Sequence, residues 1–86
     1  MLQKLDEPVS VKLIFDHSRQ RVVPTALYWQ GRQYPVIKIG LHHMYRAGRT
    51  LYHVFSVETE SLFFRLVLDT DTLFWRLEEI SDGEPS

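Results

Sequence analysis

The chain has 86 residues, with ten Lys or Arg, eleven Asp or Glu and a net charge of −1, a size that fits one domain with a modest core. It has no Cys, so disulfides and thiolate sites are excluded and a reducing compartment is the expected setting. MLQKLDEPVS does not read as a signal peptide and no apolar run reaches membrane-spanning length, so no membrane partner is expected and the cytoplasm is the default location.

The small net charge hides a sorted distribution. Residues 17–57 carry Arg19, Arg21, Arg32, Lys38, Arg46 and Arg49 and no acid. Residues 58–86 carry Glu58, Glu60, Asp69, Asp71, Glu78, Glu79, Asp82 and Glu84 against only Arg65 and Arg76. A cationic middle and an anionic end point to charged partners.

Residues 1–8 show no periodic pattern and are expected to fray. From Val9 to Phe15 the apolar positions alternate, which predicts a strand. Asp16 to Pro24 reads as a polar loop. Residues 25–30 and 33–39 flank Gly31-Arg32, a pair suited to a type II′ hairpin. That register sets Trp29 opposite Tyr34 and Leu27 opposite Val36, and Pro35 marks an edge or a bulge. Residues 40–50 are the least regular, fitting either a long loop or a twisted extension of the hairpin.

Segments 51–58, 61–69 and 72–80 read as a three-stranded meander with turns near Thr59-Glu60 and Thr70-Asp71. Leu51, His53, Phe55 and Val57 then share a core face with Leu62, Phe64, Leu66, Leu68, Leu73, Trp75 and Leu77. In this register Phe55 opposes Phe64, Leu66 opposes Trp75, and Arg65 opposes Arg76. The other face carries Tyr52, Val54, Phe63, Val67 and Phe74. That second apolar face calls for a cover, either the first strands curling over it or a second subunit. Residues 81–86 are polar and expected to fray. The fold expected is one all-β domain over 1–86: five or six antiparallel strands in a small barrel, SH3-like or partly open, ending in the meander.

No pattern carries catalytic chemistry. The serines lie in no nucleophile elbow, no Gly-rich phosphate loop exists, and Asp69 and Asp71 flank a turn where Asp is favoured for local hydrogen bonds. The chain is therefore read as a non-enzyme without a cofactor. His42 and His43 are adjacent and point to opposite sides of an extended strand, so one strand cannot offer both to one ion, and no metal site is expected. His53 reads as a neutral core histidine with one hydrogen bond.

Binding is what remains. Trp29, Arg32, Tyr34, Lys38, Arg46 and Arg49 combine cations with flat rings, the pattern that tracks phosphates and stacks on bases in single-stranded nucleic acid. Arg65 and Arg76, placed opposite each other, could grip an anion between two guanidinium forks. The leading expectation is a protein-interaction module whose basic middle meets an acidic surface, the acidic strands of a twin subunit in a homodimer being one form of it. The alternative is a single-stranded nucleic-acid-binding accessory domain.

The stretch LYWQGRQYPV, then LYHVFSVET, then LFFRLVLD and LFWRLEEI, resembles a group of small uncharacterised bacterial β-domains. The matching residues are Trp29, Gly31, Arg32, Tyr34, Val36, Tyr52, Val54, Trp75 and Leu77. Domains of this kind are similar to the C-terminal tails of proteins related to Y-family lesion-bypass DNA polymerases. The resemblance implies an all-β fold and a binding role linked to DNA repair, and it brings no catalytic residue.

Overall fold

In a computed structural model, residues 1–83 are described. They form eight strands: β1 (Leu2–Pro8), β2 (Ser10–Asp16), β3 (Arg21–Trp29), β4 (Arg32–Pro35), β5 (Lys38–Ala47), β6 (Thr50–Glu58), β7 (Phe63–Asp69) and β8 (Trp75–Ser81). One sheet has the order β1-β8-β7-β6-β5 and the other β2-β3-β4, with every pairing antiparallel. The all-β class and the C-terminal meander of β6, β7 and β8 stand as expected. The strand count is higher, and the sheets do not close into a barrel.

Two runs of chain pass from one sheet to the other. β1 and β2 are interrupted only at Val9, whose N–H donates to Trp75 O at 3.2 Å. β4 and β5 are interrupted at Val36 and Ile37. The Val36 N–H donates to Thr25 O at 2.9 Å in the small sheet, and the next N–H, of Ile37, donates to Glu58 O at 2.8 Å in the large one. Such corners let two twisted sheets face each other over one core.

That core draws on both sheets. Leu27 and Tyr34 from the small sheet meet Phe55, Val57, Phe64, Leu66, Trp75 and Leu77 from the large one. Tyr34 lies edge-on to Phe64 at 4.9 Å between centroids, and Trp29 does so at 5.9 Å. Alternation along β6, β7 and β8 selects these residues, since side chains one apart fall on opposite faces.

The expected faces hold around the core, but the registers differ by two positions there and by three beyond the β7–β8 bulge, where Arg65 stands opposite Glu79. Phe55 stands opposite Leu66, Val57 opposite Phe64, and Leu66 opposite Leu77. Leu27 faces Tyr34 because the hairpin turns at Gln30-Gly31, one residue earlier than expected. Both turn residues have positive φ, 51° and 74°, which makes it a type I′ turn. Displacement by two keeps a side chain on its face, so Phe55, Val57, Phe64, Leu66, Trp75 and Leu77 stay in the core despite the wrong pairing.

Other expectations are corrected. Residues 1–8 do not fray: β1 pairs with β8 along Leu2–Pro8. Ser81 ends β8, and residues 84–86 of the expected frayed tail lie outside the described residues. Residues 40–50 extend the strand: β5 pairs with β6 out to Ala47 and Thr50, around Gly48-Arg49. Gly48 has φ +62° and Arg49 does not, as a type II′ turn requires. Leu73 leaves the expected core row for a loop and is exposed. On the outer face Val54 and Val67 are opposite each other and buried. Tyr52, Arg65 and Arg76 neighbour them in the register, while Phe63 and Phe74, expected on the same face, are exposed.

Candidate functional site

β4 pairs with β3 only along Ala26–Trp29, so the first half of β3, Arg21–Pro24, has β2 as its partner and an open second side. β5 is the edge strand of the large sheet. The two open stretches face each other across a seam. One cavity there, of about 290 Å³, lies between Arg21, Val23, Ile39, Leu41 and His42, with Phe55 also lining it. An adjoining one, of about 390 Å³, shares Arg21, Val23 and Ile39 and extends to Arg19, Ile37 and Lys38.

Local sequence explains why the seam stays open. Gly40 is left out of register where β5 shifts between Ile39 and Leu41, and such a bulge bends an edge strand away from continued pairing. The β2–β3 hairpin continues past the small sheet to Asp16 and Arg21, leaving Ile14, Phe15 and Val22 exposed along it.

The seam is cationic. Among the described residues Arg21 and Lys38 form no ion pair, although Glu58 stands opposite Lys38 in the ladder. Arg19 reaches Asp16 at 3.7 Å in the solvent-exposed hairpin loop. The Ser18 hydroxyl donates to Asp16 at 2.8 Å and, with the Arg19 N–H, holds that carboxyl below the usual carboxylate value. His42 closes one end. Its ring stacks on Phe55 at 4.2 Å and 8°, and its Nε2 shares a hydrogen bond with His53 Nδ1 at 2.8 Å. Burial of the ring, then the charges of His53, Arg21 and His43, holds His42 below the ordinary histidine value.

The candidate residues fall into separate places. Tyr34 belongs to the core and Trp29, half-buried, packs against it, with the Trp29 indole N–H buried and no acceptor for it among the described residues. Arg32 lies 5.6 Å from the Tyr34 ring centroid, beside that aromatic pair. Lys38 is in the seam. Arg46 and Arg49 flank the far tip of the β5–β6 hairpin, where Tyr45 stacks on Tyr52 at 5.0 Å. A strand rises about 3.3 Å per residue, so Lys38 and Arg46 are about 26 Å apart along β5. The cations of the middle third therefore form no single patch.

Arg65 and Arg76 are not opposite each other. Arg65 faces Glu79 in the ladder and lies 3.3 Å from Glu78 and 3.9 Å from Glu79, while Arg76 donates to the Asp6 carboxylate and to the Asp6 main-chain oxygen. Both are engaged by the chain's own acceptors, so no anion clamp forms. Arg19, Arg21, Ile37, Ile39 and His42 were missing from the expected site. The alternation of Arg21, Val23 and Thr25 into Leu27 is the sequence signal that β3 starts before Pro24.

No protein-family model matches the chain, and no curated protein or solved structure gives a significant match, so the site stands on its own geometry.

Proposed function

We propose that the chain is a non-catalytic protein-interaction module that receives an acidic partner at the seam between β3 and β5. The observation that carries this reading is the pair of unengaged cations, Arg21 and Lys38, beside a cleft rimmed by apolar side chains left in water. Ile37 is 64% exposed and Leu41 55%. Exposed apolar groups framed by charge are the usual composition of a docking surface. Complementary charge would add on-rate and choice of partner more than raw affinity.

The competing readings have less behind them. Pairing through the acidic C-terminal strands of a twin subunit would compete with Arg65, which already holds Glu78 and Glu79. Single-stranded nucleic acid would need free stacking rings, and Tyr34 is in the core while the half-buried Trp29 ring packs against Tyr34 and Phe64. Tyr45, Arg46 and Arg49 at the hairpin tip keep that pattern. The DNA-repair setting implied by the family resemblance fits either partner class.

A photo-crosslinking residue at Ile37, with a control at the exposed Glu60, separates these readings in cells. The expected result is a protease-sensitive adduct from position 37 alone, lost when Arg21 and Lys38 are both changed to Glu. Adducts with nucleic acid, or none above the control, would overturn the proposal.

A further inference from the structure

The geometry points to one mode of entry: the partner joins the outer edge of β5 as a single extended strand in which carboxylates alternate with apolar side chains. This rests on the acidic-partner reading above and specifies what the partner segment looks like.

The first argument is the edge itself. Edge strands carry unpaired N–H and C=O groups and are commonly blunted by charged residues or proline. The other edges here follow that rule: β1 carries Lys4, Asp6, Glu7 and Pro8, β2 carries Lys12, and β4 carries Arg32 and Pro35. Between Ile39 and Tyr45, β5 has neither a Lys, Arg, Asp or Glu nor a proline. Only the bulge at Gly40 interrupts it. An edge left open in this way offers main-chain hydrogen bonds to an added strand.

The second argument is what lies beside that edge. Side chains of an added strand alternate, one set toward the cavity and the other outward. The inward set would meet Val23, Ile39 and Phe55. The outward set would meet Lys38, the neighbour of Ile39 on the opposite face of β5, while Arg21 lines the cavity beside Val23. Asp16 is committed to Ser18 and Arg19, and Glu58 stands across from Lys38 without pairing. Apolar side chains suit Val23, Ile39 and Phe55, and carboxylates between them suit Lys38 on the other face and Arg21 at the cavity.

A second copy of this chain fits less well. Two β5 strands pairing antiparallel about His42 would set Lys38 opposite Arg46, and like charges directly across a ladder are destabilising.

The test uses a capped synthetic peptide of alternating Glu and Val, about seven residues long, the length of a typical strand. Two further peptides carry N-methyl groups on alternate amides, one for each edge, which removes main-chain donors and leaves the side chains. Amide hydrogen exchange of the full chain is read along β5. The parent peptide should slow exchange between Ile39 and Tyr45, and one N-methylated form should bind at least about tenfold more weakly than the other. Arg21→Glu with Lys38→Glu should weaken the parent peptide by about tenfold or more while the melting temperature stays close to that of the unaltered chain.

Equal binding by both N-methylated peptides would overturn strand addition and leave an acidic partner standing. Slowed exchange elsewhere on the molecule, a β5-mediated dimer of the free chain, or equal protection by a short oligonucleotide would also overturn strand addition by an acidic peptide. The crosslink at Ile37 decides the partner class separately, so failure of the mode and failure of the function are distinguishable.

Discussion

Leu73 has φ +64° and is 70% exposed. A branched side chain in the left-handed region is strained by about 1–2 kcal/mol, because its Cβ crowds the following carbonyl. The loop imposes this: the Leu73 N–H donates to Asp69 O at 2.7 Å and the Asp69 N–H to Phe74 O at 3.0 Å. Leu73→Gly should raise stability by about 0.5–1 kcal/mol, a gain of several degrees in melting temperature for a domain of this size, read by calorimetry. Nothing in the sequence marked this position, since the strain comes from closing the β7–β8 loop without a glycine. Period-two counting from Trp75 placed Leu73 in the core instead. His42 carries a second expectation. Its folded value lies below the ordinary 6.5, so the unfolded chain binds protons more readily. The stability this contributes is complete above about pH 6.5 and is lost as pH falls below it. His42→Phe keeps a ring on Phe55 and removes the titration, so denaturant melts between pH 7.5 and 5 should show a shallower decline.

At the scale of strands and turns, hydrophobic alternation was legible and pairing was not. Phe64 was placed in the core by period alone, and it lies there at 1% exposure against Trp29 and Tyr34. Phe64→Ala should cost about 3–5 kcal/mol in urea unfolding, a large share of the stability of so small a domain. Phe64→Leu should cost much less, because most of the volume remains. The registers depended on turn positions that the residues signal poorly. Gln30 occupies the first left-handed position of a type I′ turn, a place usually held by Asn or Gly. Gln30→Asn should therefore stabilise the hairpin by about 0.5 kcal/mol and leave the register unchanged. The bulges between Lys4 and Glu7, Lys12 and Leu13, Ile39 and Leu41, and Arg65 and Leu66 displace the ladders further. None announces itself by composition alone, apart from Gly40. The tail of the meander shows the consequence: the expected Arg65–Arg76 pair became two separate ion-pair groups.

Over the whole molecule, two bent runs of chain carry the sheets around a shared core and leave a gap at one corner. The radius of gyration, 12.8 Å, is slightly above the roughly 12 Å expected for a compact chain of this length, in keeping with two hairpins that reach past the core. The sorted charge was visible in the sequence, but the site it builds was not. Lys38 and Arg21 are far apart in sequence and meet only because β3 begins before Pro24 and β5 runs on past residue 40. Of the two rings expected at a ligand, Tyr34 is in the core and Trp29 packs half-buried against it. The docking surface requires β5 to have one side open to solvent. Residue-resolved hydrogen exchange of the free chain measures this directly. Along β5 the amides bonded to β6 should exchange slowly and those on the outer edge quickly, giving an alternation between Leu41 and Ala47. Uniformly slow exchange along the whole strand would mean that the seam is closed in solution, and the docking surface would not exist.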